Sequence, residues 1–136
     1  MNLMDSIAMS ASGMQAQGDR MRIIAQNTAN ADSLATSEGG DPYRRRLVEF
    51  KEVMDDTLGI KVVKANKISL DRSEFGLKHL PGHPAADENG YVKTTNVKGT
   101  FESADMREAQ RSYEANLSML EMSRDLMNKL VDLLRV

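Results

Sequence analysis

From Thr100 to Val136 the sequence contains neither glycine nor proline, and Met106, Tyr113, Leu120, Met127 and Leu134 recur there every seven residues. A seven-residue apolar repeat suits an α-helix whose stripe lies against another helix along a narrow seam. Ala109, Leu117, Leu130 and Val131 fill intermediate positions, and Met119, Leu126 and Leu133 widen the stripe near the end. Thr100 or Ser103 suits the N-cap, and Glu102 and Asp105 suit the positive end of the helix. Some 30 residues of such a helix would extend roughly 45 Å.

Residues 3 to about 29 predict a second helix. Met4, Ile7, Ala11, Met14, Gly18, Met21, Ala25 and Thr28 alternate spacings of three and four, again a narrow seam. Its members are small or flexible, so neighbouring helices could approach closely. Asn30, Asp32 and Ser33, then Gly39-Gly40-Asp41-Pro42, end the helix and open a loop. Between the helices, Arg44–Val53, Gly59–Leu70 and Gly90–Lys93 are rich in Val, Ile, Tyr and Phe, as short strands are. Pro81-Gly82-His83-Pro84 and Asp87-Glu88-Asn89-Gly90 are turn clusters. The expected fold is therefore mainly α with a small β-containing middle. Long N- and C-terminal helices pair as a coiled-coil-like layer, with short strands or a hairpin between them. The segments are 1–30 (N-terminal helix), 31–99 (middle) and 100–136 (C-terminal helix).

Composition narrows the function. The 136 residues fit one domain. Ten methionines and only 4% aromatic residues suit thin, adaptable helix contacts better than one thick core. No cysteine is present, which excludes disulfides and thiolate metal sites without placing the chain in a compartment. A net charge of −2 gives no field for holding nucleic acid or anionic lipid. No apolar run approaches the ~20 residues that span a bilayer. The first charged side chain is Asp5, and Ser6, Ser10 and Ser12 interrupt the apolar stretch, unlike a Sec signal peptide. Any export is expected to use another route. Among the seam side chains of the first helix, Met4, Ile7, Met14, Met21 and Ile24 are the large ones. Ordering each backbone residue costs about 1–2 kcal/mol, so these few leave the helix dependent on partners and frayed until it assembles.

Three stretches resemble the flagellar axial proteins, and among them the proximal rod subunits. Ile24-Ala25-Gln26-Asn27-Thr28-Ala29-Asn30-Ala31-Asp32-Ser33 is similar to the Asn-rich signature closing the N-terminal helix of rod and hook proteins. Pro81-Gly82-His83-Pro84-Ala85-Ala86-Asp87-Glu88-Asn89-Gly90-Tyr91-Val92-Lys93, with Asn96-Val97, resembles the central Pro-Gly-x-Pro…Asp…Asn-Gly-Tyr-Val motif. Ala109-Gln110-Arg111-Ser112-Tyr113-Glu114-Ala115-Asn116 resembles the R-x-Y-x-A-N stretch of the C-terminal helix. Gln26 departs from the pattern where many relatives carry a second Asn, and the Leu34–Asp41 loop lacks a Thr-Pro-Gly.

The resemblance implies a non-enzymatic structural subunit without cofactor or small-molecule substrate. It would leave the cell unfolded through the flagellar type III export apparatus and assemble in the periplasm between the membrane-embedded ring and the distal rod. Its partners would be copies of itself, other rod subunits and the membrane-ring/export-gate junction proteins, with no nucleic acid and no membrane insertion. The shaft so built would carry torque to the hook. Terminal helices would form an inner layer, and the middle segment would touch neighbours outside. The residues expected at assembly interfaces are Met4, Ile7, Ala11, Met14, Met21, Asn27 and Asn30 in the first helix region. In the last helix they are Met106, Tyr113, Asn116, Leu117, Leu120, Met127, Leu130 and Leu134. Asn27, Asn30 and Asp32 can cap helix carbonyls or bond neighbouring backbone, and mid-helix Asn116 can bond across helices.

Other readings are weaker. His79, His83 and Asp87 have a zinc-like i, i+4 spacing, but Pro81, Gly82 and Pro84 forbid the helix that would align them. No catalytic Ser/His/Asp order or phosphate loop is present. Arg44-Arg45-Arg46 is followed at once by Glu49, Glu52, Asp55 and Asp56, which neutralise the field a phosphate-backbone binder needs. A generic coiled-coil adaptor shares the periodicity but would not require the three motifs.

Overall fold

The structure, a computed structural model, describes residues 2–135, so the outermost residues of the expected end segments lie outside it. The order is α1 (Leu3–Ala29), β1 (Arg46–Asp55), β2 (Ile60–Leu70), β3 (Gly76–His79), β4 (Tyr91–Thr94) and α2 (Gly99–Leu134). Both helices and three of the four strands follow the sequence pattern. The unforeseen strand is β3, whose Gly-Leu-Lys-His offers one large apolar residue and no alternation; pairing with β4 makes it a strand. α2 begins at Gly99, so Thr100 lies inside the first turn and neither it nor Ser103 is the cap. At the start of α1, Asn2 and Asp5 form a reciprocal capping box. Asp5 N–H donates to Asn2 Oδ1, and Asn2 N–H donates to Asp5 Oδ2, both at 2.8 Å.

The chain forms two compact units. One contains the chain up to Met21, Val48–Lys67 and the chain from Arg107 on; the other contains Arg22–Leu47 and Ile68–Met106. In the first unit α1 and α2 run antiparallel, with Gly13 against Asn116 and Arg20 paired to Glu108 at 3.3 Å. A Cβ at Gly13 would lie 2.8 Å from Asn116 Nδ2, so the missing side chain is what lets the helices approach there. On α2, Ala109, Tyr113, Asn116, Leu120, Ser123 and Met127 are buried or half-buried, a continuous three-four row. On α1 the residues seen against α2 are Gly13 and Arg20, one position before Met14 and Met21 of the expected seam. β1 and β2 form a two-stranded ribbon closed by Gly59 at φ +66°, whose N–H donates to Asp55 O at 2.7 Å.

The second unit centres on Ala35, Ala85 and Val92, with Leu34, Leu80 and Ala86 packed against them. β3 and β4 pair antiparallel from Gly76↔Thr94 to His79↔Tyr91. The central Pro-Gly…Asn-Gly motif is the connection between them. Asp87 Oδ1 accepts the N–H groups of Asn89 at 2.9 Å and Tyr91 at 2.8 Å. Gly90, at φ +84°, returns the chain so that its carbonyl accepts the Leu80 N–H.

Candidate assembly site

The second unit holds a buried polar clamp that joins the C-terminal end of α1, the approach to β1 and the first turn of α2. Asn27 is 1% exposed and uses its whole amide. Its Nδ2 donates to Arg46 O at 2.8 Å and Glu102 Oε2 at 3.1 Å. Its Oδ1 accepts from the Tyr43 hydroxyl at 2.8 Å and Arg46 N–H at 2.9 Å. A primary amide has two donors and two acceptor lone pairs, so every one is satisfied.

Glu102, equally enclosed, accepts on its other oxygen from Arg45 Nε. The same guanidinium donates to Asp105 Oδ2 at 2.7 Å and Asp71 Oδ2 at 3.3 Å. Glu102 closes the first turn of α2 and Asp105 stands three residues on, which puts both carboxylates on one helix face. Asn96 completes the cluster: Oδ1 accepts Arg45 N–H at 2.7 Å, and Nδ2 donates to Asp71 O at 3.0 Å. One arginine facing three carboxylates leaves its charge strongly favoured. Burial disfavours that charge, but the hydrogen bond and field of Glu102, with Asp71 and Asp105, raise the Arg45 pKa above its ordinary value. Asp71 is held below the usual carboxylate range by the Ser73 N–H, with the Ser73 hydroxyl and Arg45 adding to it against the effect of burial. Burial raises the Tyr43 phenol, Arg46 opposes the rise and Glu102 adds to it.

The triple arginine is thus spent inside the chain. Arg44 lies over Phe75, 4.1 Å from the ring centre, and donates to the carbonyls of Asp71 and Ser73 at 2.9 Å. Arg46 sits 5.7 Å from the Tyr43 ring centre. His79 stands edge-on to Tyr91, His83 Nδ1 accepts the Ala85 N–H, and Asp87 is occupied by the turn. Among the described residues no group of three or more His, Cys, Asp or Glu could hold a metal ion. No described helix is long and apolar enough to cross a membrane.

The residues expected at assembly interfaces fall into three sets. Asn27 lies within the clamp. Ile7, Met14, Met21, Asn30, Met106, Tyr113, Asn116, Leu117, Leu120 and Met127 are half-buried. Met4 (56% exposed), Ala11, Leu130 (55%) and Leu134 (86%) are open. Asn30 does cap its helix, donating to Gln26 O at 2.8 Å, whereas Asn116 donates to Ser112 O of its own helix at 3.0 Å. Sequence reasoning missed Tyr43, Arg45, Asp71, Asn96 and the pairing role of Glu102 and Asp105. The available signal was that carboxylate pair near the start of a helix, matched to an arginine run.

The exposed apolar residues are concentrated on two elements of the first unit. Met119, Met122, Leu126, Leu130, Val131, Leu133 and Leu134 are exposed along the last turns of α2, and Phe50, Met54, Leu58 and Val63 along the ribbon. So many large apolar residues in the open mark contact surfaces.

The chain is similar to several known proteins. A family described as "Flagellar basal body rod FlgEFG protein C-terminal" matches residues 88–133. A flagellar basal-body rod protein FlgC of Agrobacterium fabrum is 47% identical over 124 residues, covering 91% of this chain and 89% of the relative. The FlgC protein of Salmonella typhimurium is 35% identical over 133 residues, 98% of each chain, and that of Borreliella burgdorferi 31% identical over 153 residues, 99% of each. With the three sequence motifs, the two end helices and near-complete coverage of such relatives, the chain belongs to the flagellar basal-body rod protein FlgC family.

Proposed function

We propose that this chain is a structural, non-enzymatic subunit of the proximal rod of the flagellar basal body. It polymerises through its terminal helices into the shaft that carries torque to the hook. The observation that carries this reading is the exposed apolar face of α2 from Met119 to Leu134. Seven large apolar side chains stand open there. Burying each in a neighbour contributes about 1.5–3 kcal/mol, which a polymer repeats at every subunit. Met4 and Ala11 extend the open surface on α1. Tyr113, Leu120 and Met127 in the α2 row, with Leu117 beside it and Met106 nearer the start of the helix, are only half-buried, so a third helix could complete their burial.

In this reading the clamp fixes the geometry of the middle segment while the helix ends bind. The partners are copies of the chain, other rod subunits and the junction proteins at the membrane ring, reached in the periplasm after type III export. A clean deletion tests the reading. Loss of swimming and of every structure distal to the rod is expected, with restoration by the wild-type chain. Swimming deletion cells that carry hooks would overturn it.

A further inference from the structure

We infer that the β1–β2 ribbon is a contact between successive copies of this chain, the acidic β1 side of one meeting the lysine-bearing β2 side of the next. This rests on the rod-subunit reading. Among the described residues the ribbon has two strands, so each has one edge with no neighbouring strand. From Val48 to the turn, the β1 side carries Glu49, Glu52, Asp55 and Asp56 against the single Lys51. From Ile60 to Lys67 the β2 side carries Lys61, Lys64 and Lys67 and no carboxylate. Glu52 and Lys61 satisfy each other at 2.7 Å, and Asp55 caps the turn through the Thr57 and Leu58 N–H groups. Glu49 and Asp56 on one side, and Lys64 and Lys67 on the other, remain exposed.

Charged edge strands ordinarily prevent association. A ribbon guarded in that way gains most from one sign on both sides, because every approaching copy is then repelled. Here the two sides carry opposite signs, so the attractive approach is side to opposite side. That contact is heterologous, since a patch meets a different patch and leaves the other side of each copy free. Such a contact continues from copy to copy instead of closing into a dimer. Phe50, Met54, Leu58 and Val63, exposed among these charges, supply apolar area for the contact, while the charges set register and direction.

The chain has no cysteine, so an introduced thiol is its sole one. In the deletion strain, Glu49→Cys and Lys64→Cys chains are expressed separately and together, and purified basal bodies are oxidised. A disulfide dimer of this chain is expected only on co-expression. A dimer from either variant alone, a crosslink to a different protein, or no dimer in basal bodies from swimming co-expressing cells would overturn the inference. Charge exchange covers the case in which the cysteine chains build no rods. Glu49→Lys with Asp56→Lys, and Lys64→Glu with Lys67→Glu, should each reduce swimming, and the chain with all four changes should recover it. A fourfold variant no better than its parents overturns the inference. Wild-type complementation in the same strain reports on the rod-subunit reading separately.

Discussion

Replacing Asn27 by Ala removes four hydrogen bonds at once from a side chain that is 1% exposed. The Tyr43 hydroxyl, the Arg46 N–H and carbonyl, and Glu102 Oε2 each lose a partner. Tyr43 and Arg46 can recover water, because neither residue is fully enclosed. Glu102 cannot, because it is as buried as Asn27. At about 1–3 kcal/mol per unsatisfied buried group, with part of the set rehydrating, the cost is on the order of 3–5 kcal/mol. That is a large part of the ~5–15 kcal/mol that holds a typical domain folded. Asn30→Ala, three residues on in the same motif, removes one exposed bond to Gln26 O and should cost about 0.5–1 kcal/mol. Asn27→Asp keeps the shape but deletes both donors and sets a carboxylate beside Glu102, so it should be no milder than Asn27→Ala. Urea denaturation of the purified chains measures all three, with the slope checked for constancy. Equal midpoints for the Asn27 and Asn30 variants would refute the clamp as a stabilising unit.

Leu120→Asp, in the half-buried row of α2, should cost several kcal/mol and abolish rods, whereas Glu121→Lys on the exposed side should change stability by under about 1 kcal/mol. Complementation with export scored separately checks both; normal rods from an exported Leu120→Asp chain would contradict the packing. Gly18→Ala meets nothing within 4 Å and should stabilise the purified chain by about 0.5–1 kcal/mol, while Gly13→Val must displace Asn116 and should destabilise it, both read by thermal melting. Because the folded pKa of Asp71 is lowered, its contribution is present above the ordinary carboxylate value and is lost as pH falls through the folded one. Asp71→Asn should therefore flatten the acid limb of the stability–pH curve.

The two helices and the longer strands were legible because each follows a periodicity over many residues. β3 was not, since four exposed residues carry no period and only the partner strand defines them. The expected seam of α1 did not include Gly13, because an apolar periodicity passes over a residue with no side chain, yet that missing side chain is what admits Asn116 of α2. Asn27 and Asn30 drew attention together through the family motif, but one is buried in a network and the other is a helix cap. That division depends on Tyr43, Arg46 and Glu102, which are distant in sequence. Met119, Leu126 and Leu133 were legible as a widening of the α2 stripe; that they stand uncovered in one chain was not, because periodicity records a stripe without recording what covers it.

A density map of purified hook–basal bodies would decide whether this chain builds the rod. Proximal-rod density should accept the chain's two helices, with Met4, Leu120, Leu130 and Leu134 each within contact distance of a neighbouring subunit. A rod fully explained by other chains, or one in which the Met119–Leu134 face points to solvent, would contradict it.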